Sequence, residues 1–401
     1  MNVLSEIELH YSENICRLAS EIHKNPELSM HETLTTALIT KTLQSLNIEI
    51  LDIGLETGVA GLLSTGKSGP TIALRADIDA INQTEQTDRE DKSRFPGIMH
   101  GCGHDTHTAG LLGAAMLLSS IRSRLAGDVV FLFQPAEEPL SGARYMIEHG
   151  LFDRVRPKAL FGLHNYPEIP VGSIGVKLGQ LMSFKDEFTV IIHGSGGHSS
   201  MPEKNIDPIL PAAAIIQALH SVVSRNVSPL KSAVLSVCYI NAGTPANLVV
   251  NEAVISGNLR TLDPEVRDRA LERIRRICTD IASGYECTAD LQLNVKALGV
   301  INGPDMYQLA RRAATAVFGE DHIVDPPVSL ASEDFSMYGR YVPSFFYFLG
   351  SGTPGKPVYS WHNARFCADS HTPVFGAALL SQSVLVAQDI DIDLSGDNPL
   401  N

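Results

Sequence analysis

The 401-residue chain sets 31 Lys and Arg against 45 Asp and Glu, for a formal net charge of −14. With no basic cluster, this excludes nucleic acid or an anionic membrane as an expected partner, because phosphate binding rests mostly on clustered Lys and Arg. Met1 to Ser20 lacks the basic start, apolar run and small-residue cleavage site of a secretory signal, and no stretch reaches the roughly 18 apolar residues of a membrane helix, so a cytoplasmic protein is expected.

Such a length predicts two domains. Residues 5 to 47 read as two helices separated by Asn25-Pro26. Short apolar runs at 59–63 and 71–74 then read as buried strands. Asp105 is placed to cap a helix through Leu125, with Leu111, Leu112, Ala115 and Leu118 at helical spacing. A strand at 128–133, a helix near 141–148 and a strand at 159–163 follow. Helices alternating with apolar strands predict an α/β fold with a sheet covered on both faces.

From about 182 the texture changes. Residues 184–193 alternate more weakly, with Phe188, Val190 and Ile192 on one side. A helix at 207–223, strands at 233–241 and 252–260, a helix at 264–285 and a strand to 295 complete the order β-α-β-β-α-β, the ferredoxin-like pattern. The predicted insert therefore spans 182–296, and residues 1–181 and 297–401, with a helix at 305–318, form the other domain. The six cysteines, at 16, 102, 238, 278, 287 and 367, follow no framework spacing. In a reducing compartment they read as five buried small hydrophobes and one special case, Cys102.

That case lies in Met99 to His107, where one thiol, three imidazoles and a carboxylate occupy nine residues. Such density is a metal-site signature, and the glycines on either side of Cys102 let it and His104 aim at one ion. Strand 129–133 runs into Gln134-Pro135-Ala136-Glu137-Glu138, and strand 159–163 into His164-Asn165. Ligands in open α/β sheets bind beyond the carboxyl ends of the strands, so Cys102, His104, Glu138 and His164 are expected to converge. His362, beside the only tryptophan, offers a fifth donor, and five suffice for two ions with positions open to water. The roles of His100, His107, Glu333 and Asp334 stay open: His107 lies a helical turn beyond His104, and the acidic pair could cap a short helix. The Gly-rich stretch at 194–198 does not form a phosphate-binding GxGxxG between strand and helix.

The chain resembles the M20 family of amidohydrolases and metallopeptidases, in the branch of auxin-conjugate hydrolases, hippurate hydrolases and N-acyl amino acid deacylases. The resemblance is carried by EIHKNPELS (His23 to Glu27 within it), RADIDA (75–80), HGCGHDTHTAG (100–110), FQPAEE (133–138) with GARYMIEHG, and GLHNYPEIPVG (162–172). GSGGHSSMP (194–202), GNLRT (257–261), ASEDFS (331–336) and WHN (361–363) continue it in the family's order. It implies a catalytic domain holding two divalent metals, Mn²⁺ or Zn²⁺, on Cys102, His104, Glu138, His164 and His362, and an inserted lid and dimerisation domain. Glu137 would be the general base that activates water, and Asp77 would orient a metal ligand from behind. His198 would reach across a homodimer to the partner's oxyanion, and Asn247 and Arg260 would bind substrate, the arginine through a two-pronged bond to an α-carboxylate.

The implied activity is hydrolysis of the amide bond of N-acyl or N-aroyl amino acids. A dipeptidase or small-peptide carboxypeptidase is the alternative, and a non-catalytic metal- or ligand-binding protein a more distant one. Glu203 after MP, NLVVNEA (247–253) and INQTE (81–85) depart from the family pattern. These departures bear on substrate identity and leave the metal ligands intact.

Overall fold

The computed structural model describes residues 2–243 and 245–390. Two compact units make up the chain: Met1–Leu181 with Ile301–Pro327 and Asp334–Asn401, and Met182–Val300 with Val328–Glu333.

The first unit is built on an eight-stranded mixed sheet. Its order is Glu49–Ile50, Val59–Leu63, Val129–Gln134, Ile72–Asp77, Ala159–Pro170, Ser344–Gly352, Ile174–Gly175, Ile323–Val324. The central strands are parallel, with Asp77 opposite Gln134 and Arg75 opposite Gly162. They are buried on both faces, so they read as continuous apolar runs. That pairing ends two residues before His164, which stays paired on its other side with Phe348 and lies beyond the end of the ladder to Ile72–Asp77.

Helices cover the sheet. His104–Ser120 is almost wholly buried. Its cap is Gly103, whose φ of 84° is left-handed; Asp105, expected as the cap, lies inside the helix with its carboxylate turned to His23. The N-terminal region forms three helices, Val3–His10, Ser12–Lys24 and Thr33–Ser45, where two were expected. The extra break falls at Tyr11, whose φ of −127° leaves the helical region. A helix unforeseen in the sequence, Thr372–Ala387, is apolar on nearly every side and packs into the same core.

In the second unit a four-stranded sheet runs Thr288–Asn302, Gly179–His193, Glu252–Thr261, Ala233–Asn241, with helices Ile209–Asn226 and Pro264–Gly284 closing a separate core. Together with the chain order, this is the ferredoxin-like arrangement. The helix Pro264–Gly284 starts on a true cap, Asp263 accepting from the N–H groups of Glu265 and Val266. A short ribbon pairs Gly197–His198 with Leu248–Val249.

All six cysteines are free. Cys102, Cys278 and Cys287 are buried, whereas Cys238 and Cys367 are exposed and Cys16 half-buried, so the expectation of five buried hydrophobes is corrected. No described helix is long and apolar enough to cross a membrane.

Candidate metal centre

Two local devices deliver the donors. Gly103 turns the chain between Cys102 and His104; a Cβ there would lie 2.4 Å from Asn165 Nδ2, so only glycine fits. After the strand Val129–Gln134 the backbone takes left-handed φ at Ala136 (52°) and Leu140 (55°), a strained hairpin in which Glu137 and Glu138 sit. Gly142 permits it, because a Cβ there would lie 1.6 Å from the Pro135 carbonyl oxygen. His362 too is held at a left-handed φ of 63°, its N–H donating to the Gly101 carbonyl at 2.8 Å. Strain of this kind costs of order 1–3 kcal/mol and persists where surrounding structure enforces it.

The five expected donors meet. Potential ligand atoms of Cys102, His104 and His164 lie within 4.8 Å of one another, as do those of Cys102, Glu138 and His362, and those of His104, Glu137 and Glu138. Cys102 Sγ is 3.4 Å from His164 Nε2, and His362 Nε2 is 3.1 Å from Glu138 Oε2. His104 Nε2 and Glu138 Oε1 stand 4.0 Å apart, and neither of these buried atoms has a hydrogen-bond partner. An orphaned buried imidazole nitrogen facing an orphaned carboxylate oxygen is costly unless a cation lies between them.

Fixed acceptors decide which ring nitrogens are bare. His104 Nδ1 donates to the Asp79 carbonyl at 2.9 Å and to Asp79 Oδ1 at 3.2 Å, leaving the Nε2 lone pair toward the cluster. His164 Nδ1 donates to the Asn165 carbonyl at 2.8 Å, with the same result. His107 is the opposite case: Nδ1 donates to Asp77 Oδ1 at 2.6 Å while Nε2 accepts the Asn165 backbone N–H at 2.8 Å. Both its nitrogens are committed, so it braces the strand at Asn165, beside His164. His100 is fully buried and neither of its ring nitrogens has a partner; burial pushes it down to about 4.

Asp77 therefore bonds His107 and, at 2.8 Å, Arg75 Nη1; His104 Nε2 is 3.8 Å away. The carboxylate that bonds a candidate ligand is Asp79, which the sequence reading missed. Its Oδ2 accepts the Glu138 N–H at 3.1 Å and the Ser29 hydroxyl at 2.7 Å, so one buried side chain ties together two donors from different elements. Asp334 serves a similar brace below, accepting from Arg75, Gln134 and the Ala143 N–H.

Electrostatics agree with the donor set. Burial opposes charge on His104, yet Asp77, Asp79 and Glu138 outweigh it and raise the imidazole to about 10. Burial, then Glu138 and Glu137, push the Cys102 thiol well above its usual value. Burial, with His107 adding, drives His164 well below its ordinary value. Without a metal, a proton on His104 joins the Arg75 guanidinium in answering these carboxylates, and a divalent cation answers the same field. The thiol, imidazole and carboxylate donors fit a pair of such ions.

His198, Asn247 and Arg260 belong to the second unit. His198 and Asn247 are exposed; His198 lies in the short ribbon, which Asn247 immediately precedes, and its Nδ1 accepts from the Ser200 hydroxyl at 2.8 Å. Arg260 Nη1 donates to the Leu330 carbonyl at 2.9 Å and to Ser332 Oγ at 3.0 Å, which steadies the guanidinium plane.

The family model for peptidase family M20/M25/M40 matches residues 73–382. The chain is 41% identical over 357 residues to an N-acetylcysteine deacetylase of Bacillus subtilis, covering 88% of this chain and 92% of that protein. It is 36% identical over 368 residues to thermostable carboxypeptidase 2 of Saccharolobus solfataricus, covering 90% and 92%. Among solved structures, a dinuclear metal-binding M20 peptidase from Bacillus subtilis superposes with a TM-score of 0.80 at 35% identity, over 95% of this chain and 99% of that one. Sequence, donor geometry and fold thus agree, and the chain belongs to peptidase family M20/M25/M40.

Proposed function

We propose that the protein is a dinuclear metal amidase that hydrolyses N-acyl or N-aroyl amino acids to a carboxylic acid and the free amino acid. The observation that carries this reading is the meeting of Cys102, His104, Glu138, His164 and His362, with orphaned His104 Nε2 and Glu138 Oε1 inside it, next to the buried Glu137. Divalent ions bound to those donors would polarise the amide carbonyl and acidify water. Zinc suits the thiol best, and manganese is its competitor.

Glu137 takes the proton from the attacking water as the new C–O bond forms. It returns that proton to the nitrogen as the C–N bond breaks, so the amine leaves neutral. Arg260, its plane steadied by Leu330 and Ser332, binds the substrate's α-carboxylate, with Asn247 beside the substrate. The edge strand Ala233–Asn241 exposes Tyr239 (51%) and Ile240 (53%), which supports a homodimer formed through the second unit. In that dimer His198 serves the partner's oxyanion. Six free cysteines support a reducing, cytoplasmic location.

A carboxypeptidase reading is the second one, favoured by the name of the Saccharolobus relative. Metal analysis of purified protein, combined with amine release from N-acetyl, N-benzoyl and indoleacetyl amino acids and from dipeptides, separates the two. About two metals per chain with metal-dependent release from N-acyl amino acids is expected. Preference for dipeptides would favour the carboxypeptidase, and bound metal without turnover would sink the enzyme reading.

A further inference from the structure

One cavity of the first unit reverses the sign of the chain's charge. About 660 Å³ in volume, it is lined by Arg89, Lys356 and Arg365 against a single carboxylate, Asp88. Asp91 answers Arg89, which leaves Lys356 and Arg365 against Asp88, two cations to one anion, where in the whole chain acidic residues outnumber basic ones 45 to 31. Among the described residues neither Lys356 nor Arg365 has an ion pair, so both charges are available to a ligand.

Arg89 gives the cavity a fixed wall. Its Nε and Nη2 fork onto Asp91 at 2.8 and 2.9 Å, while Nη1 stands 3.9 Å from Cys367 Sγ, another lining residue. The Gln86 N–H donates to the Ala364 carbonyl at 2.7 Å and clasps the two lining segments together. Like charges converging on one concavity raise its potential, and a bound anion relieves it.

The position links this cavity to the donor cluster. Lining residue Pro167 follows His164 by three positions, and Tyr359 and Arg365 flank His362 by three on either side. Three residues span at most about 11 Å, so these lining residues lie within that reach of two candidate metal ligands. Pro167, Val358 and Tyr359 add apolar surface to the charged wall. That combination suits an organic anion better than a bare inorganic one.

We propose that this cavity is a subsite for a second carboxylate on the substrate, so that the enzyme prefers dianionic N-acyl amino acids over singly charged ones. The inference rests on the amidase reading above and names its substrate class. The test compares kcat/KM for N-acetylglutamate against N-acetylglutamine, and for N-succinylalanine against N-butyrylalanine, in the metal-loaded enzyme and in a Lys356→Ala/Arg365→Ala variant. At least one pair should favour its charged member by about tenfold or more, as charge-assisted hydrogen bonds allow, and the variant should bring that ratio near one while the neutral member is unchanged. Which pair responds tells whether the amino acid or the acyl group carries the charge. Ratios near one in the wild type, or an unchanged ratio in the variant, would overturn the proposal.

Should no N-acyl amino acid be hydrolysed, the amidase reading fails and a binding measurement decides the cavity by itself. Calorimetric titration of metal-free protein with glutarate should show saturable binding that weakens about tenfold in the variant. Equal binding by both proteins overturns the subsite. Inorganic phosphate binding as tightly as glutarate overturns its assignment to a substrate carboxylate.

Discussion

Replacing Asp79 by Asn tests whether one carboxylate sets two candidate metal ligands. In the wild type Oδ2 receives the Glu138 N–H at 3.1 Å and the Ser29 hydroxyl at 2.7 Å, while Oδ1 receives His104 Nδ1 at 3.2 Å. An asparagine has one accepting atom where the aspartate has two. If its oxygen keeps Glu138 and Ser29, its NH₂ faces His104 Nδ1–H, and two donors oppose each other. The imidazole then gains by moving its proton to Nε2, the atom that must be bare to hold a cation. The Asp79 backbone carbonyl, 2.9 Å from the same Nδ1, resists that tautomer change and survives the substitution. The loss therefore belongs at the lower end of the 10–100-fold that such outer partners contribute, about tenfold in metal affinity or about 1.4 kcal/mol. Competition with a chromophoric chelator measures it directly, without reference to turnover. Ser29→Ala, which removes only one bond to Oδ2, should lose only a few-fold. Wild-type metal affinity in Asp79→Asn, to within twofold, would refute the idea that Asp79 sets the ligands.

Other perturbations have equally definite outcomes. Glu137→Gln should lower kcat by about 10²–10⁴ while leaving metal content intact, measured by amine release alongside metal analysis; unchanged turnover would remove Glu137 as the base. Metal loading at pH 7.5 should release about two ligand protons per chain, one from Cys102 and one from His104, and none from His164, whose pKa is depressed. Affinity therefore falls with falling pH, and calorimetry in buffers of different ionisation enthalpy should show about one proton fewer for Cys102→Ala. Gly103→Ala sets a Cβ against Asn165 at a left-handed φ, so metal binding should be lost and Tm lowered. His23 donates to Asp105 at 2.8 Å and lies 3.3 Å from Glu85; burial opposes its charge, but the carboxylates raise it from 6.5 to about 9. A raised pKa stabilises fully below pH 6.5 and is lost through pH 9. Metal-free wild type should thus lose Tm over that interval, and more steeply than His23→Gln; parallel curves would dismiss the pair as a stabilising element.

The candidate donors could be picked out in the sequence because simple rules look where they stand, and the structure brings them together. Glu138 and His164 follow apolar runs, and those runs are the buried parallel strands whose carboxyl ends form the site edge. The ferredoxin-like insert was legible for a related reason: its helices keep an apolar stripe and its strands alternate, as surfaces covered on one side must. The helix Thr372–Ala387 carries no such period, because a helix buried on all sides has no polar face to mark it. The break at Tyr11 has neither Pro nor Gly to announce it. Asp105 has the residue type of a cap, but its carboxylate is drawn to His23, 82 positions away, a partner outside any local window.

Asp77 and Asp79 expose the limit most sharply. Both are buried acids in RADIDA, two residues apart, and alternation along a strand would put them on one face with equal claim on the ligands. The strand ends at Asp77, however, and beyond it the chain takes other partners, the Ala80 N–H donating to the Glu27 carbonyl at 2.8 Å. Asp77 is thereby left to Arg75 and His107, while Asp79 presents both its carbonyl and its carboxylate to His104 and still reaches the Glu138 N–H. Spacing names the candidate acids; contacts with distant segments assign their partners. Those are the contacts of Ala80 with Glu27 and of Ser29 with Asp79, which no local pattern contains.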